Sequence, residues 1–162
     1  MPLHDLKIGV WCALSGNRII GPIFFNETVN TNVHLQVYSD FSAQLTPKEK
    51  RYAYFQQDGN TCHTSDLSLT TIHTVFTAER TIGKGLWPPR SPDLSPCDYF
   101  LWGFLKSRVY HNNPRTIDTL KNNIRQEISN IPQRVLRNVF NNMLKRAELC
   151  FVLDGEHFEH RL

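Results

Sequence analysis

Apolar positions dominate the first part of the chain. Lys7 to Leu14 reads Lys-Ile-Gly-Val-Trp-Cys-Ala-Leu, the pattern of a buried strand. Ser15-Gly16-Asn17-Arg18 has turn composition and Ile19 to Phe25 is again apolar, so the pattern predicts a β-hairpin. Pro22 has no amide hydrogen for a ladder, which predicts an edge or a bulge at that point. The period then changes: Val33, Tyr38, Phe41 and Leu45 recur at roughly helical spacing from Thr31 onward, and Thr46-Pro47 ends the run.

A second strand-then-helix unit follows. Tyr52 to Gln57 is short and aromatic, the signature of a strand, and Asp66 to Phe76 places Leu69, Ile72, Val75 and Phe76 on one helical face. Thr81-Ile82-Gly83-Lys84-Gly85 is at best a short strand. The prolines between Trp87 and Pro96 exclude regular structure and predict an ordered or semi-rigid loop. Ser95 fits an N-cap with Pro96 at the first helical position, so a helix is expected from there towards Tyr110, with Asp98 in its first turn near the positive end of the helix dipole. Beyond Asn112-Asn113-Pro114, apolar positions 117, 120, 124, 128 and 131, then 136, 140, 144 and 147, predict two amphipathic helices either side of Pro132. The segment from Phe151 to Leu162 has no clear pattern, and no internal repeat or linker interrupts the chain, which makes one domain the expectation.

Composition narrows this only a little. With 162 residues, 40% hydrophobic and 20% charged, the chain can bury a core of ordinary size. A formal net charge of +3 permits a polyanionic partner without requiring one. Cys12, Cys62, Cys97 and Cys150 are far apart and form no C-x-x-C pair, which suggests neither a disulfide framework nor a zinc ribbon and fits a reducing compartment. Cys150, His157 and His160, with Cys97 as a fourth, match no zinc-ligand spacing. No secretory signal opens the chain and no apolar stretch approaches the ~20 residues of a membrane helix, so an intracellular protein off the membrane is expected.

Two carboxylates stand at the ends of expected elements. Asp58 closes Tyr-Ala-Tyr-Phe-Gln-Gln-Asp-Gly, and Asp98 lies in the run from Trp87 to Gly103. An acid at a strand tip and another in a helix's first turn can hold a divalent cation against phosphate oxygens. Each also has a plain structural role available: a turn aspartate before Gly59, and a capping aspartate.

These segments resemble the mariner-like transposases. The resemblance rests on Val10-Trp11-Cys12, Ile20-Gly21-Pro22 with Phe24-Phe25, Phe55-Gln56-Gln57-Asp58 with His63, Pro89-Arg90-Ser91-Pro92-Asp93-Leu94 through Pro96-Cys97-Asp98-Tyr99-Phe100-Leu101-Trp102-Gly103, Val109-Tyr110, and Gly155 with His157 to His160, in family order. It implies an α/β fold: an RNase H-like mixed sheet flanked by helices, with C-terminal helices. It also implies a site in which three acids bind two Mg2+ or Mn2+ ions. Asp58 and Asp98 match the second and third acids, separated by 39 residues. His63, Lys84, Arg90, Lys106 and Arg108 are the candidates for nucleic-acid contact, although a structural loop histidine explains His63 equally well and solvated surface charge is the simpler account of each cation taken separately.

The family's first acid lies on a strand upstream of the segment matching Val10-Trp11-Cys12, and its helix-turn-helix DNA-binding region lies further upstream. Only Met1 to Leu6 precede the match here, and Asp5 is too close to the next strand to serve. The expectation is therefore an N-terminally truncated copy that lacks the first strand. It would bind DNA and have negligible strand-transfer activity of its own. DNA, self-association and a nuclear location are implied, and a small-molecule substrate or a membrane is not. The alternative is a non-catalytic binding or oligomerising fragment whose unpaired strand edges invite another chain.

Overall fold

The computed structural model describes residues 6–26, 30–57, 66–82 and 96–152, with side chains to position 146 and without that of Asp98. It divides into two compact units. One is formed by Met1–Asn26 with Pro92–Leu162, the other by Glu27–Ser91.

In the first unit, β1 (Gly9–Leu14) and β2 (Ile19–Phe25) pair antiparallel as the sequence predicts. Ser15 closes the turn: its amide and its hydroxyl both donate to the Arg18 carbonyl, and its oxygen accepts from the Arg18 amide at 3.1 Å. The register passes from Trp11 opposite Ile23 to Ala13 opposite Ile20, so Cys12 faces both Gly21 and Pro22 across a bulge. The bulge is where the proline, with nothing to donate, is accommodated. Gly21 has φ +119, and a Cβ there would stand 3.0 Å from the Trp11 carbonyl oxygen. Only glycine suits that backbone.

The helices of this unit cover the hairpin. A π-helical turn over Cys97–Leu101 runs directly into α4 (Trp102–Arg108), and α5 (Ile117–Ser129) and α6 (Gln133–Val152) follow. Leu120, Ile124 and Ile128, one turn apart along α5, join Cys12, Leu101, Leu105 and Val109 in the core. Lys121 and Arg125 on α5 both sit over the Phe24 ring, at 5.4 and 5.0 Å. Buried Asn123 is satisfied by the Val109 carbonyl at 2.8 Å and the Asn112 side chain at 2.7 Å, which fixes the end of α4 against α5. The buried stripe of α6 departs from the sequence expectation. Leu136, Val139 and Arg146 are buried, whereas Leu144, assigned to the apolar face by its spacing, is 60% exposed. Arg146 takes a core-side place because its guanidinium carbon lies 4.1 Å from the Tyr99 ring centroid.

The second unit is organised around an aromatic cluster. It contains α1 (Thr31–Ala43), α2 (Pro47–Tyr52), β3 (Phe55–Gln56), α3 (Asp66–Phe76) and β4 (Thr81–Ile82). Phe55 on β3 packs against Phe76 at 5.2 Å, Phe41 at 5.8 Å and Tyr38 at 5.9 Å between ring centroids. Ile72 is fully enclosed. β3 pairs parallel with β4, Phe55 opposite Thr81 and Gln56 opposite Ile82, as a strand–helix–strand crossover requires. Both pairing senses of a mixed sheet are present, in two two-stranded ladders among the described residues. The helix α2 was not foreseen, although Thr46-Pro47-Lys48-Glu49 carries its signature: the Thr46 hydroxyl accepts from the Glu49 amide at 3.1 Å, and the Glu49 carboxylate accepts from the Thr46 amide at 2.9 Å.

Candidate functional site

Asp98 lies on the π-helical turn that opens the helical run towards Val109. Pro96 is already helical, with φ −57 and ψ −32, and the Trp102 amide reaches back five residues to the Cys97 carbonyl. Ser95, read as the N-cap, lies outside the described residues. Three contacts fix this turn within its unit. Leu101 is fully buried, the Cys97 thiol points at the Cys12 carbonyl on β1 at 3.9 Å, and the Tyr99 hydroxyl donates to the Val139 carbonyl on α6 at 2.8 Å. The backbone that presents Asp98 is thus anchored to the hairpin on one side and to the last helix on the other.

Asp58 follows β3 by two residues and lies outside the described residues, as do His63, Lys84, Arg90 and the Pro-rich loop before Pro96. The strand leading to Asp58 is well defined: the Phe55 amide donates to the Arg80 carbonyl at 2.8 Å, and the Gln57 amide donates to the Ile82 carbonyl at 3.0 Å. The expected strand end therefore does precede Asp58. Lys106 and Arg108 are exposed on α4, and the Arg108 guanidinium stacks 4.4 Å from the Phe104 ring centroid. Trp11 and Trp102 are half-buried, and Trp87 lies outside the described residues.

Burial pushes the Cys12 thiol up to about 12, with neighbouring Cys97 adding to the effect. Cys12 packs in the core of the unit, and a thiol held in such surroundings keeps its proton. Among the described residues no cluster of three His, Cys, Asp or Glu side chains could hold a metal. The side chain of Cys150, and His157 and His160, lie outside them.

One feature of the first unit had no signal in the sequence. A cleft of about 560 Å3 opens between the hairpin turn and the junction of α5 and α6, lined by Arg18 and Arg125 above Ile19, Pro22, Ile128 and Leu136. The two arginines are more than a hundred positions apart, and no local pattern announces that they share a wall. Among the described residues of the lining, the charged ones are these two arginines.

No protein-family model matches the chain. The chain is similar to the transposable element Tc3 transposase of Caenorhabditis elegans, 29% identical over 140 residues, a match that covers 85% of this chain and 41% of that relative. Among solved structures, the Mos1 transposase catalytic domain with raltegravir and Mn superposes with a TM-score of 0.76 at 20% identity, over 91% of this chain and 76% of that one. The Mos1 mariner paired-end complex with Mn gives 0.75 at 20% identity, over 90% and 43%. The fold is therefore an α/β domain of the RNase H-like class. Within that class it is the fold of a mariner-like transposase catalytic domain, and the sequence likeness to a transposase extends over most of the chain.

The Mos1 structures were solved with Mn in one case and with Mg in another. No helix among the described residues is long and apolar enough to cross a membrane.

Proposed function

We propose that this chain is part of the catalytic core of a mariner-like transposase and that it binds DNA, with Asp58 and Asp98 as ligands for Mg2+ or Mn2+. The observation that carries the reading is the coincidence of motif and element. β3 ends just before Asp58, and the anchored turn at Cys97–Leu101 carries Asp98, in a chain whose fold follows the Mos1 catalytic domain over 91% of its length. The donor set fits: carboxylate oxygens are the ligands that hard divalent cations select. A bound cation there would supply charge stabilisation at a phosphodiester, lowering the barrier to in-line displacement. The chain's own part is to carry Asp98 on the anchored turn and Asp58 two residues beyond β3, and to offer cations such as Lys106, Arg108 and those of the Arg18–Arg125 cleft to the phosphates. His63, Lys84 and Arg90 extend the same set in sequence.

A two-metal site needs a bridging acid, and no residue of the 162 matches that position. The polypeptide taken by itself should therefore hold cations weakly and cut DNA negligibly. A nuclear location and self-association follow from the same reading. The test is salt-dependent binding of duplex DNA together with Mn2+ titration and plasmid nicking, comparing the wild-type chain with Asp58→Ala and Asp98→Ala. Expected are duplex binding that weakens steeply with salt, Mn2+ affinity lost in either variant, and little nicking. Failure to bind duplex even at low salt, or Mn2+ affinity unchanged in both variants, overturns the reading. Robust nicking abolished by Asp58→Ala overturns the inactivity.

A further inference from the structure

The segment 46–54 of the second unit is held rigidly at both ends and yet buries nothing. At its start the Thr46–Glu49 capping box closes α2 on itself. At its end Arg80 donates through Nη1 to the carbonyls of Lys50 at 3.0 Å and Ala53 at 2.9 Å, and through Nη2 to that of Val75 at 2.9 Å, so the chain leaving α2 is fastened to the end of α3. No residue of α2 is buried. Tyr52 is 62% exposed and Tyr54 67% exposed, among the few large apolar side chains of the described residues left in solvent. Lys48, Lys50 and Arg51 are exposed beside them, and the Arg51 guanidinium lies 5.4 Å from the Tyr52 ring centroid. The only acid between 46 and 54 is Glu49, and it accepts from the Thr46 amide.

A backbone fixed in this way, with two exposed aromatic rings and three cations, matches the requirements of single-strand recognition. Every base has a face that can stack on a tyrosine, and the phosphates between bases need positive charge nearby. Duplex DNA offers no free base face, so rings of this kind add little to duplex affinity. We propose that Tyr52 and Tyr54 form a stacking platform for a single strand of nucleic acid, with Lys48, Lys50 and Arg51 pairing its phosphates. Charge complementarity selects this occupant over an apolar protein partner, because three cations around two rings disfavour a dry protein interface. The inference rests on the DNA-binding reading above and adds to it a second substrate form and a place for it.

The test uses the full chain and fluorescence anisotropy with a labelled single-stranded oligonucleotide and the corresponding duplex. In the double variant Tyr52→Ala, Tyr54→Ala, single-strand affinity should fall by about tenfold or more while duplex affinity is unchanged. The variant Lys48→Gln, Lys50→Gln should reduce the slope of log affinity against log salt by about 1.4 for the single strand. All of these side chains are exposed, and circular dichroism checks that each variant keeps its fold. Single-strand affinity unchanged in the tyrosine variant overturns the proposal. So does a change in self-association, seen by light scattering, in place of a change in strand affinity. Either result leaves duplex binding and the function above standing, whereas a wild-type chain that binds neither form removes both.

Discussion

The Tyr99 hydroxyl donates to the Val139 carbonyl at 2.8 Å, joining the turn that carries Asp98 to the middle of α6, and Arg146 on the same helix covers the Tyr99 ring at 4.1 Å. Two kinds of interaction thus converge on the residue next to the candidate metal ligand. Tyr99→Phe removes only the hydrogen bond and should cost about 1 kcal/mol in urea unfolding. Tyr99→Ala also removes the ring beneath a buried guanidinium and should cost about 3 kcal/mol. Amide exchange over 97–101 should quicken in both, more in the alanine variant. Equal costs for the two would mean that the ring contributes nothing.

Gly21 makes the sharpest backbone prediction. A residue with a side chain would have to adopt φ +119 and accept a Cβ 3.0 Å from the Trp11 carbonyl. Gly21→Ala should destabilise by about 2 kcal/mol or more, while Gly16→Ala in the adjoining turn, where nothing lies within 4 Å of the added atom, should be near neutral. Thermal melting of the two single variants checks the contrast.

The contrast between local and long-range interactions also explains which parts of the fold were legible in the sequence. The hairpin, Asp66–Phe76 and the α5 stripe of Leu120, Ile124 and Ile128 could be read directly, because period and punctuation are local properties. Even the bulge was marked by Pro22. The capping box that starts α2 is equally local, but its six residues carry no apolar period to mark a helix. Other features depend on partners distant in sequence. Arg146 is buried and Leu144 exposed because Tyr99, 47 positions from Arg146, supplies an aromatic face. The Arg18–Arg125 cleft and the Lys50 and Ala53 carbonyls gathered by Arg80 are of the same kind. Of the candidate site, Asp98 was legible as a helix-start acid and the turn carrying it is helical as read, though in π form because the Trp102 amide bonds to the Cys97 carbonyl. Asp58 rests on motif and on the strand that leads to it.

Arg80 should be the dominant polar tie of the second unit. Its fork reaches three carbonyls on two segments, with distances of 2.9 to 3.0 Å, a geometry that an ammonium group cannot reproduce. Arg80→Lys should cost about 1 to 2 kcal/mol and Arg80→Ala about 2 to 3 kcal/mol. Both should make residues 50–54 more susceptible to limited proteolysis. A lysine variant as stable as wild type would show that the bonds to the Lys50 and Ala53 carbonyls are dispensable.

Thr77 closes α3 with φ +49, a left-handed conformation that a β-branched residue adopts only under constraint. Its side chain is exposed, and its carbonyl accepts from the Thr81 hydroxyl at 2.8 Å. Because that bond uses the backbone of residue 77, Thr77→Gly keeps it while relieving the strain. The variant should gain about 0.5 to 1 kcal/mol in urea unfolding, and a loss would place the side chain among the stabilising contacts.

The stability of the chain should fall at alkaline pH through Cys12. Burial, with Cys97 beside it, raises the thiol from its ordinary 9.0 to about 12, so the folded state keeps a proton that the unfolded state gives up. The sign follows from linkage. The contribution is complete below pH 9 and is lost as pH climbs from 9 towards 12, because the unfolded chain binds fewer protons in that window. Between pH 8 and pH 10.5 the loss from this group should be about 2 kcal/mol. Tyr38, raised by burial to about 12 from 10.0, pushes in the same direction at the upper end. Cys12→Ala should therefore be less stable than wild type at pH 8, by the packing it removes, and should lose less of its stability on going to pH 10.5. Parallel unfolding curves for the two proteins across that range would show that the Cys12 thiol ionises as readily in the folded chain as in the unfolded one.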